Sequence, residues 1–252
     1  MPKFLRNYIK RIVHQDELNI FLEAHKNDDP FQFSKGVVEL FDVKVITKGL
    51  ENIPQHGGII LAGNHPLGGF DAMVILNSIA QLRTDVKFIV NDILMNLANL
   101  RPLFVGVNKH GKNSIKMLED IDNAYASDNA VFIYPAGLVS RKNDRGKIED
   151  LEWRKSFVTK SKKHKRMVVP FYVDGQNSNR FYELSRWRTK LGIKANVEMF
   201  FLVDEMFRQR GKTISIIFGK PIPFETFDAS KSDVNWAYEV RKKVYQLAES
   251  KN

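Results

Sequence analysis

The chain has 252 residues and no cysteine, which excludes disulfides, thiolate metal sites and cysteine nucleophiles. Its composition, 43% apolar and 27% charged, is that of a globular protein long enough to bury a core. Thirty-nine basic residues against 29 acidic ones give a net charge of +10, which suits partners bearing phosphate or acidic groups: lipid headgroups, nucleic acid, a nucleotide-bearing cofactor or an acidic carrier protein.

At the N-terminus, Phe4, Leu5, Tyr8, Ile9, Ile12 and Val13 fall at helical spacing, with Lys3, Arg6, Lys10 and Arg11 on the other side. Such a helix either docks on the core of its own domain or lies in a lipid interface. Residues 1–13 lack the continuous apolar core of a signal peptide. No apolar run of about 18 residues follows, so no membrane span is expected. Helices are predicted over 17–24 and 30–41, ahead of a first strand at 43–46. Residues 1–40 therefore read as an N-terminal helical segment and candidate membrane-surface anchor, and 41–252 as one domain.

The central stretch is 59–75, Ile-Ile-Leu-Ala-Gly-Asn-His-Pro-Leu-Gly-Gly-Phe-Asp-Ala-Met-Val-Ile. Residues 59–62 read as a buried strand; Pro66, Gly68 and Gly69 break the chain into a tight turn; Asp71 opens a periodic helical segment. His65 thus leaves a strand end with a carboxylate one loop away, where parallel sheets place their chemistry. Glycine at positive φ can curl that carboxylate towards the imidazole. The plainer alternative is a turn histidine and an aspartate that caps a helix.

Further strands are predicted at 86–90, 103–107, 131–134, 168–173 and 214–218. Helices are predicted at 114–126, 154–163, 181–191, 197–208 and 234–249, with a long charged loop up to about residue 150. Alternating strands and helices predict a single α/β domain with a mostly parallel sheet flanked by helices and preceded by N-terminal helices.

Two loops carry further candidates. Gly106-Val-Asn-Lys-His-Gly-Lys-Asn113 approaches a phosphate-loop pattern but has Asn113 where a hydroxyl is needed, and no later strand supplies a second metal-binding aspartate. A weaker expectation remains: Lys109 and Lys112 beside a helix N-terminus favour a phosphate. In Tyr134-Pro-Ala-Gly-Leu-Val-Ser-Arg-Lys142, Gly137 turns the chain. Ser140 lacks the glycine elbow of a nucleophile. Arg141 and Lys142 either bind an anion or form a solvated pair. The other histidines, His14, His25, His56 and His164, show no metal-ligand spacing.

The order of these motifs resembles the glycerolipid acyltransferase family, which includes the 1-acylglycerol-3-phosphate acyltransferases. Asn64-His65 followed by Asp71, Tyr134-Pro-Ala-Gly137 with a downstream Arg141, Val169-Pro170-Phe171, and Phe218-Gly-Lys-Pro-Ile222 appear in order over about residues 40–225. Two features depart from the wider family: five residues, not four, separate His65 from Asp71, and Ala136 and Leu138 replace a glutamate and a threonine. Both departures resemble a bacterial subgroup that carries a haemolysin label and is related to the O-acyltransferases of ornithine and glycine aminolipids. Asp150-Leu-Glu-Trp-Arg-Lys-Ser-Phe157 and Asn177-Ser-Asn-Arg-Phe-Tyr182 are similar to that subgroup too.

The resemblance implies acyl transfer from a thioester of acyl carrier protein or coenzyme A to a lyso-lipid hydroxyl, with no cofactor or metal beyond the co-substrate. His65 would be the general base and Asp71 its orienting carboxylate. Arg141 and Lys109 would hold an anionic group, with Gly137 and Ser140 in the same substrate-binding loop. The expected partners are the thioester donor, a lyso-lipid acceptor and a membrane surface, not nucleic acid. The expected location is the cytoplasm, peripheral on the inner face of the cytoplasmic membrane. The competing class is a non-catalytic basic protein that binds anionic membranes.

Overall fold

The computed structural model describes residues 2–107 and 114–249. Its strands are β1 (Lys44–Lys48), β2 (Ile59–Gly63), β3 (Val86–Asn91), β4 (Phe104–Val107), β5 (Ala130–Ile133), β6 (Arg141–Lys142), β7 (Ile148–Glu149), β8 (Val168–Asp174) and β9 (Thr213–Phe218). Its helices are α1 (Lys3–Ile12), α2 (Gln15–Ala24), α3 (Pro30–Leu40), α4 (Gly69–Ile79), α5 (Ile115–Ala126), α6 (Ser156–His164), α7 (Asn179–Lys190), α8 (Leu202–Phe207) and α9 (Asp233–Glu249). Seven strands form one sheet in the order β1-β9-β8-β2-β5-β3-β4. Every pairing is parallel except β8 with β9, so β1 and β9 run against the other five. The mostly parallel α/β expectation is met.

The apolar run of β2 is central because it is buried on both faces, and its alternation divides the core. Ile59 and Leu61 face a cluster with Phe33, Val37 and Phe41, from α3 and its end, and Phe70 and Val74 of α4. Ile60 and Ala62 face the opposite cluster, with Tyr125 of α5, Phe157 of α6 and Val240 of α9. The layers are therefore helix, sheet, helix. Gly63 ends β2 under Phe171 of β8, whose ring would lie 2.3 Å from an added Cβ.

The N-terminal helices do not share one role. Asp29 caps α3 by accepting from Phe31 N and Gln32 N, and Gln32 answers by accepting from Asp29 N at 3.1 Å. α3 then packs on α4 in the core, so no packing boundary falls at residue 40. α1 buries no residue. It is tied on through His14, whose ring stacks on Phe207 at 3.8 Å and bonds Asp204 at 2.9 Å. Among the described residues no helix is long and apolar enough to cross a membrane.

Two local expectations change. The charged loop before residue 150 contains the β6–β7 hairpin, turned by Gly146 at φ +79 and by Asn143, whose Oδ1 accepts from Arg145 N and Lys147 N. Residues 197–208 begin as a 3-10 turn, Val197–Phe201, before α8.

Candidate active site

Beyond Gly63 the side chain of Asn64 continues the ladder that the backbone leaves. Its Nδ2 donates to Val173 O at 2.8 Å and its Oδ1 accepts from Val173 N at 2.7 Å. The backbone is freed to turn at the C-terminal edge of the sheet, and three segments clamp it there. His65 N donates to Asp150 Oδ1 at 3.1 Å, His65 O accepts from Ser140 N at 2.8 Å, and Pro66 O accepts from Asn177 Nδ2 at 3.0 Å.

Gly68, at φ +71, turns the chain into α4, and Gly69 is already helical. The left-handed turn brings Asp71, in the first turn of α4, back over the loop. Its Oδ2 lies 2.9 Å from His65 Nδ1 and 3.1 Å from Leu67 N. The structure thus joins the two residues expected to act together. The Asp71 side chain is fully buried and the imidazole 18% exposed. A carboxylate accepts, so Nδ1 is the ring nitrogen that donates to Asp71, and in the neutral imidazole the lone pair falls on Nε2. Burial pushes the Asp71 carboxyl above its usual range, against the opposing pull of the His65 and Leu67 bonds.

Under the imidazole lies Tyr134, just beyond β5, stacked at 4.0 Å between centroids and 19° between planes. Its hydroxyl is buried and has no hydrogen-bond partner among the described residues. Burial and the charges of Asp71 and Asp150 push the phenol well above its usual range, so it stays protonated. Gly137, at φ +65, closes the following turn by donating to Tyr134 O at 2.9 Å.

Of the remaining expected residues, Ser140 and Arg141 are tied into the loops around this pair. Ser140 is buried and its Oγ donates to Asp150 Oδ1 at 2.6 Å. Arg141 is buried over the Phe181 ring, with Nη2 on Glu198 at 2.7 Å and Nη1 on Val139 O at 2.6 Å. Glu198 also pairs with Arg188 at 2.8 Å. Arg141 and Arg188 thus share the one buried carboxylate of Glu198, and Arg141 also braces its own loop through Val139 O. Lys109 and Lys112 lie outside the described residues.

Asp150 is the residue that the sequence reading passed over. Fully buried, it accepts from His65 N, Ser140 Oγ and, at 2.9 Å, Trp153 Nε1; burial raises its carboxyl as well. The available signal was the 150–157 stretch, noted only as a likeness. A polar cavity of about 420 Å³ borders the same loop, lined by Asn64, Pro66, Ser140, Asp174, Gln176 and Lys212 among others.

A protein-family model described as Acyltransferase matches residues 1–252. This chain belongs to the acyltransferase family. A lyso-glycine lipid O-acyltransferase of Phocaeicola vulgatus is 44% identical over 98% of this chain and 88% of its own length. One of Bacteroides thetaiotaomicron is 45% identical over 98% of this chain and 91% of its own. Among solved structures, the 1-acyl-sn-glycerophosphate (LPA) acyltransferase PlsC of Thermotoga maritima aligns over 100% of this chain and 99% of its own at a TM-score of 0.52. At 16% identity that likeness concerns the fold. Membership sets this acyltransferase among enzymes, apart from the non-catalytic membrane binder weighed from its charge.

Proposed function

We propose that this acyltransferase moves a fatty acyl group from a thioester, acyl carrier protein or coenzyme A, to the hydroxyl of a lyso-aminolipid of the lyso-glycine type. The observation that carries the reading is the His65–Asp71 pair, 2.9 Å apart at the sheet edge. An alcohol is a weak nucleophile at neutral pH, and a positioned base accelerates its attack by roughly 10²–10⁴-fold. His65 Nε2 takes the hydroxyl proton as the oxygen attacks the thioester carbonyl. The tetrahedral intermediate then collapses, the carbon–sulfur bond breaks, and the imidazolium returns the proton to the leaving thiolate. Asp71 holds the tautomer and stabilises the imidazolium. The Tyr134 ring face adds an attraction for the cation of roughly 0.5–2 kcal/mol.

The acceptor class follows from three features. Both relatives at 44–45% identity are named for a lyso-glycine lipid. Ala136 and Leu138 stand where the wider family has a glutamate and a threonine, which removes contacts suited to a glycerol-phosphate acceptor. The cavity beside the histidine loop is polar and holds Lys212 and Asp174, which suits a small charged headgroup better than an acyl chain. α1, with Phe4 and Ile9 exposed beside its cations, supplies a peripheral contact with the membrane. Acyl thioesters are cytoplasmic, so that contact is with the inner face of the cytoplasmic membrane.

The test offers lyso-glycine lipid and lysophosphatidate in competition for one acyl thioester, with free thiol and acylated lipid both measured. Preference for the glycine lipid is expected. Preference for lysophosphatidate would overturn the acceptor class, and thiol release by neither would overturn the activity.

A further inference from the structure

We infer that residues 180–200 form a second lipid-contacting surface, separate from α1, that rests on an anionic bilayer beside the catalytic loop. The inference rests on the lyso-lipid reading, because only a membrane-borne acceptor gives such a surface a purpose.

One face of α7 is buried: Phe181 and Tyr182 pack with Val139 and Leu202, and Ser185 bonds Glu198. The outward side and the turn after it carry Trp187, Leu191 and Phe200, exposed by 62%, 70% and 76%, together with exposed Ile193. Single exposed apolar residues are ordinary, but a group of large ones marks an interaction site. The backbone gathers them. Leu191 N donates to Trp187 O, and Gly192, at φ +69, lets Ile193 N return to Arg188 O. The 3-10 turn bearing Phe200 packs against the same helix.

Charge identifies the occupant. Arg180, Arg186, Lys190 and Lys194 are exposed among these apolar side chains, and Glu183 is the sole acid between residues 179 and 196. Lys190 sits over the Trp187 ring at 5.7 Å and Arg180 over Phe201 at 5.0 Å. Aromatic rings and cations side by side are the composition of the bilayer interface, where rings sit at headgroup depth and cations meet anionic lipid. An acidic carrier protein would satisfy the cations but not require such protruding apolar side chains.

Position links this surface to the site. A Cβ on Gly68, in the turn between His65 and Asp71, would lie 3.1 Å from Leu202 and 3.5 Å from Val139. The segment is thus one side chain away from the catalytic turn. At its other end α8 receives His14, so the α1 attachment and this surface flank one short helix. A bilayer resting on this surface therefore lies beside the turn that carries His65, while the side chains of the surface touch the membrane and not the reacting groups.

The experiment is sedimentation with vesicles of phosphatidylcholine, with and without phosphatidylglycerol, comparing the full chain with two double variants, Trp187→Ser/Phe200→Ser and Lys190→Glu/Lys194→Glu. All four side chains are exposed, so the fold should persist. Each double variant is expected to bind anionic vesicles roughly tenfold or more weakly, with turnover on detergent-dispersed acceptor unchanged. Unchanged vesicle binding in both variants would overturn the inference. So would variants that lose only self-association on gel filtration, or only affinity for acyl carrier protein. Absence of turnover with every acceptor would instead count against the enzymatic reading, leaving the vesicle result to decide this one.

Discussion

Replacing Asp71 with asparagine keeps the side-chain shape and moves activity and stability in opposite directions. The carboxylate accepts from His65 Nδ1 at 2.9 Å in a fully buried position. Losing the charge from such a bond costs roughly 1.5–3 kcal/mol, which converts to about 10- to 150-fold in rate. If the amide instead turns its NH2 towards Nδ1, the tautomer inverts and the loss approaches roughly 10⁴-fold. Stability follows the opposite sign. Burial holds the folded carboxyl above its ordinary value of 3.8, so folding favours the protonated form. The contribution of this group is fully present below 3.8 and is lost as pH rises through the raised folded value. Asparagine is neutral throughout and escapes that loss. The variant should therefore melt higher than wild type near pH 8, with the advantage shrinking near pH 4, while thiol release at neutral pH falls by at least about tenfold. A variant that melts lower near pH 8 and loses activity in parallel would make Asp71 a structural strut and refute the reasoning.

His65→Ala should abolish thiol release while the fold persists at a cost of roughly 1–3 kcal/mol, since Asp71 loses the imidazole but keeps Leu67 N as a donor; parallel loss of fold in circular dichroism would contradict this. Asp150→Ala leaves His65 N, the Ser140 hydroxyl and Trp153 Nε1 without their acceptor. Each stranded donor costs roughly 1–3 kcal/mol, against total stabilities of roughly 5–15 kcal/mol, so the chain should be largely unfolded. Asp150→Asn, with its oxygen at Oδ1, strands only Trp153 and should fold, and urea denaturation distinguishes the two. Deleting residues 1–13 should weaken binding to anionic vesicles most strongly at low salt and leave the melting curve nearly unchanged, because α1 buries no residue.

What the sequence revealed was local in the chain. The buried run of β2, the turn after it and the carboxylate in the next helix lie within one continuous stretch, so the His65–Asp71 pair is readable from spacing and two glycines. Asp150 is 85 residues from His65 and Glu198 is 57 from Arg141, so nothing in either local pattern shows the contact. A cation after a turn reads as a ligand-binding group, and that pattern carries no sign of the buried carboxylate Arg141 pairs with. The β6–β7 hairpin escaped detection because two-residue strands have no period; its turn depends on Asn143 and Gly146. The 197–208 segment reads as one helix from its apolar spacing. Its first turn is drawn into 3-10 form where Glu198 reaches Arg141 and Arg188.

Two buried carboxylates around one histidine divide its requirements. Asp71 acts on the ring and fixes which nitrogen carries the proton. Asp150 acts on the backbone, holding the His65 N–H and, through the Ser140 hydroxyl, the segment whose Ser140 N–H donates to His65 O. Both are pushed up by burial, so both approach protonation at a higher pH than surface carboxylates do. Tyr134 is pushed the same way and remains a neutral phenol, so it contributes its ring face without competing for the proton. On the proposed mechanism, acidification disables the site from the inside. Protonated Asp71 no longer stabilises the imidazolium, and protonated Asp150 weakens its hold on the loop. Because Asp150 touches only backbone and scaffold groups, neutralising it loosens the loop without changing the tautomer that Asp71 sets.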